Sequence, residues 1–128
     1  MPQINVTAKQ IEESTIIEMA TVETDGVIWT YEKRNSGTAR LWGMITVTYS
    51  SAYLLEKANI KFPFVFASQP MGFLAINQWS NVSTYAYILA PNIECTTDKF
   101  TVQVRCNTDK FTQDTTLNVA VEIVGRWK

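Results

Sequence analysis

Two stretches in the second half of the chain alternate apolar and polar residues without a break. Phe100, Val102, Val104 and Cys106 fall on one side, with Thr101, Gln103 and Arg105 on the other. Leu117, Val119, Val121 and Ile123 repeat the pattern against Asn118 and Glu122. A period of two gathers every apolar residue on one face of an extended strand, and a helix would scatter them around its axis. These segments must therefore be strands with one buried face, and such strands need a second layer to cover them.

The rest of the chain fits that demand. Val27 to Lys33 and Leu41 to Tyr49 are extended runs separated by Asn35-Ser36-Gly37, a triplet that suits a tight hairpin turn. Ile45, Val47 and Tyr49 alternate with Thr46 and Thr48. Phe62-Pro63-Phe64-Val65-Phe66 reads as a strand start or edge strand, because Pro63 cannot donate to a ladder. Met71 to Gln78 and Thr84 to Ala90 read as the next pair, joined through the loop Asn77-Gln78-Trp79-Ser80-Asn81. At the front, Ala8 to Glu13 lacks helix breakers and Ile4 and Ile11 stand seven apart, but Thr15-Ile16-Ile17 is already β-branched. Residues 1–24 are expected to be an N-terminal arm or leading strand, and 25–128 the domain. The expected fold class is all-β: an antiparallel sandwich of about six or seven strands.

A length of 128 residues suits one domain, and a hydrophobic content of 46% supplies its core. The formal net charge of −1 argues against nucleic acid or an anionic membrane surface as the partner. Lys33, Arg34 and Arg40 form a local basic cluster that reads as the solvated end of a hairpin. No run is apolar for long enough to cross a bilayer, and Met1-Pro2-Gln3-Ile4-Asn5 does not open a secretory signal. The expectation is synthesis in a reducing cytoplasm, with Cys95 and Cys106 as buried free thiols and the sequons at Asn5 and Asn81 without meaning.

Catalysis has little to build on. The chain contains no histidine, so the commonest general base and metal ligand is missing. No Cys-x-x-Cys pair and no glycine-rich phosphate loop occurs. Glu56, Glu94 and Glu122 are the carboxylates available for acid–base work, without any sign of a shared cleft. Thr97-Asp98-Lys99-Phe100-Thr101 recurs as Thr108-Asp109-Lys110-Phe111-Thr112, yet Asp98, Asp109 and Asp114 follow no calcium-loop spacing. A binding role is expected, with no catalytic residue, cofactor or metal. Trp29, Trp42 and Trp127 belong to strands and to packing. Trp79 differs, because Asn77, Gln78, Ser80 and Asn81 surround it. A flat ring beside amides suits a sugar, so Trp79, Asn77, Gln78 and Asn81 are the candidate ligand-binding residues, against the alternative of a tryptophan folded back on the sandwich edge or buried between subunits.

The segment from Gly26 through Trp29, Tyr31, Lys33, Ser36-Gly37 and Trp42-Gly43 resembles a motif common near the end of bacteriophage and prophage tail-fibre proteins. In that family a Trp-x-Tyr-Arg-Lys-Trp segment, a Ser-Gly turn and a Trp-Gly pair form the first hairpin. Phe62-Pro63-Phe64, Pro70 before a strand and the ending Gly125-Arg126-Trp127-Lys128 continue the resemblance over residues 15–128. Glu32 and Arg34 stand where the family more often has Arg and Trp, and Leu41 where a cysteine is frequent. The layout is also similar to H-type lectins, six-stranded sandwiches that assemble as trimers and bind sugars near subunit boundaries. The resemblance implies a tail-fibre or baseplate tip module, made in the bacterial host cytoplasm and carried in the virion tail. Its partners would be other phage tail or baseplate proteins and a bacterial surface glycan, and its state a homotrimer. The alternatives it leaves are a purely structural trimer without ligand and a bacterial carbohydrate-binding domain.

Overall fold

The computed structural model describes residues 14–80, 89–106 and 111–128; for residues 77–80, 89 and 90 it describes the backbone. The described residues form eight strands, in the order β1 (Ile16–Thr24), β2 (Val27–Arg34), β3 (Thr38–Ser51), β4 (Leu54–Lys61), β5 (Met71–Ser80), β6 (Leu89–Cys95), β7 (Lys99–Cys106) and β8 (Thr116–Arg126). Every pairing is antiparallel. The long β3 makes the architecture. Along one edge it pairs first with β2 and then, from Thr48 to Ser51, with β4, while β8 follows its other edge from Thr38 to Thr48. Two layers result: β1-β2-β3-β8-β5 and β6-β7-β4, joined through the end of β3. The all-β antiparallel sandwich is thus present, with eight strands instead of six or seven.

Turn chemistry fixes the first hairpins. Asp25 and Gly26 both hold positive φ, 47° and 80°, which is the conformation a two-residue turn between twisted strands requires. The stretch 16–24 is therefore the first strand of the sheet, paired with β2 across this turn. Between β2 and β3, the Gly37 N–H donates to the Arg34 carbonyl at 3.0 Å, and Gly37 takes φ 100°.

The alternating residues supply the core. Val102, Val104, Leu117, Val119 and Ile123 are fully buried, with Leu41, Val47 and Leu55. At its centre Trp29 is fully buried, with ring centroids 5.4 Å from Phe100 and 6.5 Å from Phe62. Its Nε1 donates to Thr24 Oγ1 at 2.8 Å, so the polar atom of the ring is satisfied inside the sandwich. Gly43 lies opposite Trp29 in the β2–β3 ladder. A Cβ there would stand 2.8 Å from the Ile28 carbonyl oxygen and 3.2 Å from the Trp29 ring.

Two sequence expectations change, and one strand goes unannounced by any pattern in the sequence. Phe62-Pro63-Phe64-Val65-Phe66 is not a strand but a crossing segment. Pro63 breaks the ladder, and the backbone N–H groups of Phe62 and Phe66 instead donate to the carbonyls of Asp98 and Thr97, in the turn that leads into β7. Met71–Gln78 does not pair with the next described strand, β6, and of the expected partner Thr84–Ala90 residues 84–88 lie outside the described residues. β5 pairs with β8 and β6 with β7, because the two strands belong to different layers. Gly72 marks where they meet face to face, its Cβ position 2.8 Å from Ile93 Cδ1. Finally, β4 carries no clean alternation. A bulge between Lys57 and Ile60, with Asn59 at φ 54°, sets its inward residues Leu55 and Ile60 five apart.

Both described cysteines are free thiols. Their strands are neighbours, but Cys95 faces Phe100 in the ladder and Cys106 faces Leu89. Six residues of strand separate the two rungs, about 20 Å, far beyond disulfide reach. Burial pushes the half-buried Cys95 thiol up to about 11. At pH 8 its thiolate fraction is then about a thousandth, so alkylation by iodoacetamide should run about a hundredfold slower than for a model thiol of pKa 9. The rate should climb until pH passes 11; a plateau near pH 9 would show that the thiol is not held in an apolar site. For the core, Gly43→Ala should cost about 1–3 kcal/mol in urea unfolding, because the added methyl overpacks against the indole and a carbonyl. An unchanged midpoint would place the Trp29 ring elsewhere.

Candidate functional site

On the first layer, residues alternating with the core face outward, and there they are unusually apolar. Of the ten large hydrophobic residues described as exposed, eight lie on β1, β2, β3, β5 and β8; the other two, Tyr53 and Val65, lie in connections. Ile28 and Met71 are 63% and 64% exposed, and Phe73 is 50% exposed. A groove of about 390 Å³ runs among them, walled by Trp42, Met44, Phe73, Ala75, Ala120 and Glu122. The ladder explains the grouping: Trp42 and Phe73 flank Glu122 from its two sides, and Met44 and Ala75 flank Ala120.

A polar margin borders this face toward the β2–β3 turn. Arg40 Nε donates to Glu122 Oε1 at 2.6 Å, and its guanidinium lies 4.9 Å from the centre of the Trp42 ring. The bond to Glu122 raises the Arg40 pKa further. Glu32, directly opposite Arg40 in the ladder, is only 8% exposed and is met by Arg34 Nη2 at 3.3 Å. Glu32, Arg34, Thr38, Ala39, Arg40 and Val124 enclose a second groove of about 380 Å³.

The outer face of the other layer is different in kind. Glu56, Gln103 and Asn92 form one cross-strand row, with Gln103 Nε2 donating to Glu56 Oε2 at 2.6 Å. Arg105, Asn92 and Glu94 are exposed, and no large exposed hydrophobic residue is described on β4, β6 or β7. One sandwich thus carries an apolar outer face and a polar one.

The residues singled out from sequence fall as follows. Asn77, Gln78 and Trp79 are not in a loop: they continue β5, with Gln78 opposite Asn118, Trp79 opposite Leu117 and a bulge before Gln78. Alternation blurs at that bulge, which is why the polar run reads as a loop. Asn81 lies outside the described residues, as does Asp109. Asp98 accepts from Thr96 and Asp114 from Thr112, each a local turn contact, and the described residues contain no cluster able to hold a metal ion. Glu122 sits on the first layer and Glu56 and Glu94 on the second, so the core separates Glu122 from the other two. The basic cluster divides. Arg34 and Arg40 line the polar groove, whereas the Lys33 ammonium lies 4.6 Å from the Phe64 ring centre, 5.4 Å from Trp127 and 5.9 Å from Tyr31, with Glu18 at 3.4 Å. A hydrogen bond from Tyr31, opposed by some desolvation and helped by Lys33, lowers the Glu18 pKa.

No protein-family model matches the chain, and no curated protein sequence does. Among solved structures it is similar to an N-truncated R1-type pyocin tail fiber, with a TM-score of 0.55 at 13% identity, over 94% of this chain and 98% of that one. It is also similar to a C-terminal portion of the P. aeruginosa R1 pyocin fiber, with a TM-score of 0.52 at 14% identity. That second likeness covers 95% of this chain and 32% of the other, so the chain spans about a third of that fiber fragment. At such identities the likeness is one of fold: this eight-stranded antiparallel sandwich is a fold that a tail fiber also uses.

Proposed function

We propose that the chain is a tip module of a phage or phage-derived tail, a homotrimer that attaches to a bacterial cell-surface glycan and catalyses nothing. The observation that carries this reading is the fold likeness to a pyocin tail fiber over nearly the full length of both chains. The hairpin motif around Trp29, Ser36-Gly37 and Trp42-Gly43 supports it independently.

The apolar outer face of the first layer supplies the assembly surface. Water leaves such a face when another apolar surface covers it, and patches of this sort on soluble proteins mark interfaces. Its layout is that of an interface, with an apolar groove in the middle and compensated charges, Arg40–Glu122 and Arg34–Glu32, at the margin. The occupant is a second copy of the chain. The groove receives an apolar side chain, the same face projects Met71 and Ile28, and the paired rim charges do not repel a like surface. A groove on one copy filled by a projection from the next is a head-to-tail contact, which closes into a ring such as a trimer.

Two measurements test the two halves. In sedimentation at micromolar concentration the wild type should run as a trimer. Phe73→Glu combined with Met44→Glu should run as a monomer with an unchanged far-ultraviolet dichroism spectrum; a wild-type monomer would remove the assembly reading. On an array of bacterial O-antigen and core oligosaccharides the wild type should bind a restricted set. Binding to none would leave a purely structural fibre protein.

A further inference from the structure

A second, polar groove lies beside the apolar face. Glu32 stands on the outward side of β2, where a carboxylate ordinarily reaches water, yet nine-tenths of it is covered. Covering a carboxylate is costly unless strong donors replace its hydration. Its one side-chain hydrogen bond among the described residues is the long contact from Arg34 Nη2, at 3.3 Å, and no buried polar side-chain atom among them lacks a partner, so its remaining acceptor capacity opens on the groove. Arg40, directly across the ladder, spends its Nε on Glu122 and rests its guanidinium against Trp42. Among the described residues, neither of its terminal amino groups has an acceptor. The groove therefore combines a sheltered acceptor with spare lone pairs and planar donors with spare N–H groups. The Thr38 hydroxyl, shared with Ser36 at 3.2 Å, and the exposed side chain of Val124 complete it.

The charges narrow the ligand. Glu32 and Arg34 balance, as do Glu122 and Arg40, so neither an anion nor a cation gains from entering. What fits is a neutral molecule whose polar groups each donate and accept, and whose remaining surface is C–H. Sugar hydroxyls have that property. A volume of about 380 Å³ lies within the range of small-molecule sites, which pair a few placed polar groups with apolar walls.

We infer that this groove holds one ring of an uncharged saccharide. Adjacent hydroxyls donate to the Glu32 carboxylate and accept from the Arg40 amino groups, and the ring's C–H face rests on Val124. The inference rests on the glycan-reading part of the function proposed above and gives it a location, on β2 and β3 instead of the 77–81 segment.

The test uses the full chain and the neutral oligosaccharide that responds most strongly on the array, titrated calorimetrically. Arg40→Gln should weaken binding tenfold or more, and Thr38→Val, which leaves every charge in place, by threefold or more. Both should keep the wild-type sedimentation and melting temperature. If Arg40→Gln disturbs assembly through its lost bond to Glu122, the Thr38→Val titration decides alone. Full affinity in Thr38→Val and Arg40→Gln would overturn the groove while leaving glycan reading intact. Binding confined to acidic saccharides would overturn the assignment of an uncharged ligand. Wild-type binding to no saccharide would remove the parent reading, and this site with it.

Discussion

The indole of Trp29 occupies the space that a side chain at position 43 would need, and the sandwich is arranged around that exchange. A glycine inside a long strand weakens it, since it packs nothing and loses more backbone freedom on folding. The loss is offset because the missing Cβ admits the largest ring in the core against the β3 backbone. From there the ring touches Phe62 and Phe100 of the opposite layer, and its N–H fixes Thr24 at the end of β1. One aromatic side chain thereby couples β1, β2, β3 and β7. The close stacking of Phe62 on Phe100, with planes only 7° apart, extends the coupling to the crossing segment. A phenylalanine at 29 would keep the ring contacts but leave Thr24 without its donor.

The length of β3 decides what the two outer faces can become. Because β2 and β4 share one of its edges in succession, the strand passes from one layer into the other, and the layers need no separate linker. The inward faces are then committed to the common core, while the outward faces are free to differ. They do differ: methionines, Ile28 and Phe73 on one, and Glu56, Gln103, Arg105 and Asn92 on the other. Solvent alone would favour the polar solution on both sides. Under the proposed assembly, the apolar face is the one that a second copy covers.

The sequence made some of this legible and hid the rest, for reasons visible in particular residues. Strands β7 and β8 could be read directly because each buries one face only and contains no bulge. The turn at 35–37 could be read because its residues suit few other conformations. β4 was hidden by the bulge at Asn59, which breaks the period, and Phe62–Phe66 misled because its three rings do turn inward while its backbone bonds elsewhere. The end of β5 reads as a loop because its residues are polar amides, although backbone pairing with β8 runs through Ser80. The polar groove was out of reach for a different reason. Glu32, Arg40 and Val124 meet only through the registers of two ladders, and no spacing along the chain announces those. Even the basic cluster was only half informative: one residue of offset sends Lys33 among aromatic rings and Arg34 to the opposite face.

That offset also determines how firmly the groove is held. Arg34 is fixed from several directions. Its Nη1 donates to the Ser14 carbonyl, its Nη2 to Glu32, and its own carbonyl accepts from both Gly37 N and Trp127 Nε1. The turn it opens also receives Arg126, bonded to the Ser36 carbonyl, and the Trp127 N–H, bonded to Gly37. The entry to β1 and the exit from β8 thus close around one four-residue turn, and Lys33 packs beneath it among Tyr31, Phe64 and Trp127. The Glu32 carboxylate, mostly covered and in contact with that arginine, is confined by its surroundings. Arg40 is held at Nε and against Trp42 but keeps its outer amino groups unbonded among the described residues. A fixed acceptor facing a tethered donor needs little further ordering to take up a ligand. This is the condition under which a shallow groove with few contacts still binds, and under which copies of it in one assembly act together.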